Sequence, residues 1–230
     1  MTLDDLPPHP RDAYTGPAAP WKLRGSIHVS VWRVPVRDLP IRPPAGTQVV
    51  SLAGQALVVA AWATYEPGGT LSYNELLVAA GVRAAGLLVP AVTVGPIWVD
   101  DEVAAAGGRS LWGIPKQLGV FARQAAPGPS AGATDGNADA TSASLHVQGH
   151  AVAALDFEPR QRMALPIRAT VWTVQDGQAG PLRTRCTLRG RLRPGVARWR
   201  FAADGPLAFL HGRQPLASVR LEPLSASFGV

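Results

Sequence analysis

Apolar residues recur at every second position through much of this chain, and a period of two admits strands far more readily than helices. Ile27, Val29 and Val31 share one face of the stretch 27–35. The stretch 48–65 gives two strands around Ala53-Gly54-Gln55 and stops at the turn sequence Pro67-Gly68-Gly69. Further strands are expected over 73–82, over 87–99 as one or two segments, and over 145–157, 167–174 and 182–193. Helix signals are few. Asp100 is placed to cap a short helix with Asp101 and Glu102 in its first turn, and Gly107-Gly108 reads as its end. A second short helix is expected over 206–211. Residues 124–143 form a low-complexity polar stretch containing Pro127, Gly128, Pro129, Gly132 and Gly136. Strand signals resume on both sides of it, so it reads as a hairpin tip or flexible loop and not as a domain linker. At 230 residues one core is the natural expectation. The reading is a single domain over 1–230, mostly antiparallel β with a few short helices.

Composition matters most at one residue. Of the 22 basic residues, 20 are arginine and only Lys22 and Lys116 are lysine. Guanidinium can solvate a surface or pair a carboxylate, but it cannot become a neutral amine nucleophile. Lys116 sits amid apolar residues in Leu111-Trp112-Gly113-Ile114-Pro115-Lys116-Gln117-Leu118-Gly119-Val120-Phe121. One reading is a buried stem whose ammonium reaches water. The other is amine chemistry. A free lysine has a pKa near ~10.4, and full burial lowers it by up to ~3–5 units. A wall of Trp112, Ile114, Leu118 and Phe121 would supply most of that shift and leave an amine able to form a Schiff base with a carbonyl.

The stretch from Trp98-Val99-Asp100-Asp101-Glu102 through Gly107-Gly108-Arg109 to Ile114-Pro115-Lys116-Gln117-Leu118-Gly119 resembles the active-site segment of the acetoacetate decarboxylase family. That segment reads as an aromatic, an acidic cluster, Gly-Arg, then Tyr/Phe-Pro-Lys-Lys-Leu-Gly. Tyr73-Asn74-Glu75 resembles the family's Tyr-x-Glu, at a similar spacing from the lysine. Pro20-Trp21-Lys22-Leu23 is also compatible. The resemblance implies a closed, cone-like β-barrel or sandwich around a substrate cavity. It makes Lys116 the Schiff-base residue and Glu75 a catalytic carboxylate; without it, Glu75 reads as a strand-end glutamate meeting solvent or an arginine.

Departures from the family limit what carries over. Its second lysine is Gln117 here. Its N-terminal arginine falls near Gly25 or Ser26, with Arg24 close by, and its other pocket glutamate falls near Ala60. The resemblance therefore implies a Schiff-base lyase acting on a small β-keto acid, with no cofactor. Two alternatives stand beside it: a related aldolase- or dehydratase-type enzyme on a larger keto acid, and a non-catalytic small-molecule-binding member of the fold. Tyr73, Arg109, Trp112, Gln117 and Arg24 are the candidate substrate-binding residues. Arg109 is expected to tie the active-site loop by hydrogen bonds more than to touch substrate.

The single Cys186 allows no internal disulfide and fits a cytoplasmic protein. No metal site is expected; His146 and His150 either share a strand face or flank a turn. The longest uncharged stretch, 84–99, is 16 residues and carries Pro90, Gly95 and Pro96, too short for a bilayer span of ~20. Residues 151–230 carry 12 arginines against five acids. Arg183, Arg185, Arg189, Arg191 and Arg193 share one parity, opposite Thr184, Cys186, Leu188 and Leu192, and Pro194-Gly195-Val196-Ala197 reads as a turn. Trp199 and Phe201 alternate away from Arg198 and Arg200, which argues against nucleic-acid stacking. The arginine face and the apolar tail (Leu221, Leu224, Phe228) point to a homo-oligomer, with arginines meeting Asp156 or Glu158 of a neighbour.

Overall fold

The computed structural model of the protein describes residues 14–87, 89–125, 141–160, 164–177 and 180–229. Its strands are β1 (Trp21–Pro35), β2 (Thr47–Val49), β3 (Ser51–Leu52), β4 (Gln55–Tyr65), β5 (Tyr73–Ala84), β6 (Ala91–Val99), β7 (Gln117–Leu118), β8 (Val120–Ala125), β9 (Thr141–Val147), β10 (His150–Pro159), β11 (Leu165–Gly177), β12 (Gly180–Phe201) and β13 (Ala217–Phe228). One α-helix, α1 (Glu102–Trp112), lies between β6 and β7. The expected mostly antiparallel β architecture is what the chain adopts. None of the described helices is long and apolar enough to cross a membrane.

Strand pairing runs β6-β5-β4-β1-β13-β12-β11 and returns to β6. The seven strands form a closed circuit, compatible with the cone-like enclosure that the resemblance implied. The closing seam is short: β11 meets β6 in parallel at Trp172–Ala91 and Thr173–Val92. There the Gln175 amide serves as an extra peptide group. Its Oε1 accepts from Val94 N at 2.7 Å and from Thr93 Oγ1 at 3.0 Å, and its Nε2 donates to Val94 O at 2.9 Å. This satisfies backbone groups that would otherwise be buried without partners.

Two cores follow from the period of two. On β1, β4 and β5 the even-numbered side chains, including Trp32, Val34, Val58, Trp62 and Leu76, face a second sheet of β8, β9, β10 and the far half of β12. Leu145, Leu155, Phe157 and Phe201 cover them from that side. The odd-numbered side chains face the inside of the circuit, where Ile27, Ala61, Ala63, Ile97, Leu221 and Leu224 are in one contact cluster. Full burial of large side chains such as Trp32 and Leu145 contributes roughly 1.5–3 kcal/mol each.

Several expectations are corrected. Residues 194–197 do not turn, because β12 runs straight from the ring into the second sheet. Gly195 permits this: a Cβ there would overlap the Phe157 ring and approach Glu158 O to 2.6 Å. The second helix shrinks to a 3-10 turn at Ala208–Leu210. The stretch 124–143 begins and ends as paired strand, with Gln124 opposite Ser142 and Ala125 opposite Thr141; residues 126–140 lie outside the described residues. His146 and His150 flank the turn at Gln148-Gly149.

The arginine alternation holds, with Arg183, Arg185, Arg189 and Arg191 exposed and Arg193 half-buried. Asp156 and Glu158 are occupied within the same chain, however. Arg200 Nη1 lies 2.5 Å from Asp156 Oδ2, and Arg198 Nη1 lies 2.6 Å from Glu158 Oε1. Their cross-strand register on β10 and β12 brings these pairs together. Leu221 and Leu224 are not a surface tail either: β13 inserts between β1 and β12 and turns them inward.

Candidate active site

The loop that carries Lys116 is fixed from three directions. Asp101, not Asp100, caps α1, its carboxylate accepting from Ala104 N at 2.6 Å. Asp100 instead accepts from Asn74 N and Nδ2, both at 2.7 Å, and so ties the start of β5 to the end of β6. The helix does not stop at Gly107-Gly108. It continues to Trp112 and ends at Gly113, whose φ of 64° suits a left-handed cap. The two glycines serve close approach: a Cβ on Gly107 would overlap Trp21, and one on Gly108 would lie 2.5 Å from Lys116 Cδ. Arg109 Nη1 donates to Lys116 O at 2.7 Å, the loop-tying contact expected of it.

The amine of Lys116 enters the ring and meets a carboxylate. Lys116 Nζ lies 2.7 Å from Glu75 Oε2, with the two side chains 5% and 6% exposed. It donates to Tyr73 Oη at 3.2 Å and stands 4.8 Å from the Tyr73 ring centroid and 5.9 Å from that of Trp21. Tyr65 Oη donates to the other Glu75 oxygen at 3.4 Å. These groups converge because Tyr65 pairs with Tyr73 and Ala63 with Glu75 across β4 and β5. Burial, with the Glu75 charge as second cause, holds the Tyr65 and Tyr73 hydroxyls well above the usual phenol range. Burial and then the same charge push the Cys186 thiol up to about 12. All three therefore keep their protons near neutral pH.

Some predicted positions fall elsewhere. Leu118 is 48% exposed and forms no wall. Phe121 packs on Trp62 in the inter-sheet core, ring centroids 5.5 Å apart. Trp112 and Ile114 do line the ring interior, Trp112 edge-on to Trp21 at 4.7 Å and to Phe228 at 4.6 Å. Arg24 is exposed between buried Leu23 and Gly25, so strand alternation turns its side chain outward, while its carbonyl accepts from Glu66 N. Gln117 lies beside Trp98, on the face away from Lys116. Tyr65, Trp21, Gly108 and Cys186 were not among the candidates. The symmetric placement of Tyr65 and Tyr73 about the Pro67-Gly68-Gly69 turn was a readable signal; Cys186 has none in its own neighbourhood.

Beside Tyr65 and Tyr73 opens a pocket of about 400 Å³, lined also by Thr64, Glu66, Asn74, Asp100 and Asp101 among others. Three of its lining residues are acids and none is basic.

The sequence model for acetoacetate decarboxylase matches residues 10–228. The chain belongs to the acetoacetate decarboxylase family. Solved structures of similar fold include the enduracididine biosynthesis enzyme MppR complexed with pyruvate, at 16% identity and a TM-score of 0.64, covering 94% of this chain and 90% of that one. Another is an acetoacetate decarboxylase from Legionella pneumophila, at 16% identity and a TM-score of 0.63, covering 97% and 90%. An acetoacetate decarboxylase-like enzyme from Sphingomonas wittichii RW1 is 20% identical with a TM-score of 0.59, covering 91% and 89%. No curated protein matches this sequence. Enzymes with different names thus share this fold, so the fold alone does not fix the chemistry here.

Proposed function

We propose that this protein is a Schiff-base-forming carbon–carbon lyase in which Lys116 is the nucleophile and Glu75 the proton-transfer group. The observation that carries the reading is the 2.7 Å contact between two side chains shut away from water. Lys116 gives a proton to Glu75 and its amine attacks the substrate ketone; Glu75 passes that proton to the carbinolamine oxygen, which leaves as water, and an iminium remains. With a β-keto acid, the bond to the carboxylate carbon breaks, CO₂ leaves, and the electron pair moves into the iminium to give an enamine. A proton taken up from solvent, the one the overall decarboxylation consumes, passes through Glu75 to the enamine carbon, and water hydrolyses the new iminium to ketone and free Lys116. Tyr73, hydrogen-bonded to Nζ, orients the amine, and Arg109 holds the loop. The test is borohydride trapping with a β-diketone or β-keto acid, which is expected to add mass to the peptide containing Lys116. Label on Lys22, or on no lysine with any carbonyl tried, would overturn the reading.

A second reading uses the same iminium for aldol or dehydration chemistry on a larger carbonyl compound. It is favoured by the acidic pocket beside Tyr73, where Glu66, Asp100 and Asp101 stand with no basic residue among the lining and repel an anionic keto acid. A substrate panel separates the two. CO₂ release from β-keto acids supports the first, and water loss or condensation supports the second.

A further inference from the structure

The inward face of the ring changes character just beyond the ion pair. Leu77 follows Glu75 by two residues on β5, and Leu188 follows Cys186 by two on β12. Val29, Ile167, Leu192 and Val219 continue the lining from β1, β11, β12 and β13. All six pack against one contiguous cluster that includes Tyr65, Tyr73, Trp112 and Ile114, and all six are only half-buried. Protein interiors otherwise pack at crystal-like density. A side chain that faces into a closed strand circuit and still meets water therefore borders open space. Arg33 and Arg83, which share the inward parity, are exposed at the rim furthest from Trp21.

Space of this kind suits methylenes and penalises a charge. We propose that the carbonyl compound attacked by Lys116 carries an uncharged aliphatic arm that lies along this lining, with its carbonyl carbon at Lys116 Nζ. The proposal rests on the Schiff-base reading above and adds the substrate class to it. The acidic pocket lined by Tyr65 and Tyr73 is consistent with a substrate whose arm bears no negative charge.

The test uses the intact protein and a series of neutral methyl ketones from butanone to decanone, with the matching secondary alcohols as analogues that lack a carbonyl. Calorimetry gives affinity, and borohydride trapping followed by peptide mass gives the adduct at Lys116. Affinity is expected to rise about fourfold per added methylene in both series, with trapping at correspondingly lower ketone concentrations. A Leu188→Gln variant is expected to weaken decanone binding by at least about tenfold, close to two methylenes' worth, while butanone is still trapped at Lys116. Trapping that is intact but insensitive to chain length would overturn the aliphatic arm. Chain-length-dependent binding of alcohols and ketones alike, with no adduct, would overturn the Schiff-base reading and keep only the apolar cavity.

Discussion

Replacing Glu75 with glutamine keeps the shape of the side chain and removes the charge 2.7 Å from Lys116 Nζ. The two side chains are 5% and 6% exposed, so bulk water compensates little of the lost charge. Deleting one member of such a buried pair costs about 3–5 kcal/mol, since the other charge is left uncompensated. Lys116→Met is expected to cost a similar amount, leaving the carboxylate with the long 3.4 Å hydrogen bond from Tyr65 and no cation where Nζ stood. Removing both together orphans neither charge, so the Glu75→Gln/Lys116→Met variant is expected within about 1–2 kcal/mol of the wild type. Urea unfolding at pH 7, with midpoint and slope compared across the four proteins, measures the cycle. A coupling energy of roughly 3 kcal/mol or more is expected. Single effects that simply add, to within about 0.5 kcal/mol, would refute the argument and show that the two charges do not depend on each other. The double variant also separates chemistry from stability, because it should fold and yet give no borohydride adduct.

Gly108→Ala brings a methyl to 2.5 Å from Lys116 Cδ and 2.8 Å from Cε. The helix gains about 1 kcal/mol of propensity, but overpacking costs about 1–3 kcal/mol, so borohydride trapping at Lys116 is expected to slow even where thermal unfolding changes little. His28 makes stability fall in acid: burial, then the charges of Arg220 and Arg123, lower its pKa from 6.5 to about 3. Between those values the unfolded chain binds a proton that the native protein refuses, so its contribution is complete above pH 6.5 and is lost as pH falls toward 3, by roughly 4–5 kcal/mol at most. Denaturant titrations from pH 7 to 4 should show that slope, and His28→Leu should flatten it.

The fold class was legible because its code is local. Alternation at 27–35 and 48–65 needs only the pleat and a buried face to become strand. What was not legible was decided at a distance. Gly107-Gly108 has the local form of a helix end, yet Trp21 and Lys116 need the space that a Cβ would fill, and the helix runs on. Pro194-Gly195 has the local form of a turn, yet Phe157 lies over Gly195 from a strand nearly 40 residues earlier, and β12 stays extended. The site divides the same way. Lys116, Glu75 and Tyr73 were readable from a motif, and the structure brings them together. Arg24 is only close in sequence to the family's arginine position, and strand parity sends it outward. Tyr65 reaches Glu75 across the β4–β5 pairing, while Cys186 comes near it only through the closure of the ring.

The same parity shows where the departures from the family segment fall relative to Lys116. Gln117 stands where that segment has a second lysine, but on β7 it lies beside Trp98, whose ring belongs to the inter-sheet core. A side chain at 117 therefore starts out on the face opposite the amine. Ala60 also faces the inter-sheet core; the positions on β4 that face Glu75 are Ala61 and Ala63, with Ala63 directly across from it. Small residues there leave room beside the carboxylate where a larger polar group would compete for it. The charged group in contact with Lys116 Nζ is thus Glu75. On the Schiff-base reading one carboxylate takes the proton from the attacking amine, passes it to the departing hydroxyl and later relays a solvent proton to the enamine carbon, with the Tyr65 and Tyr73 hydroxyls protonated beside it. Such a site needs no second cation to bind its substrate if the arm of that substrate is neutral, which is the character of the lining formed by Leu77 and Leu188.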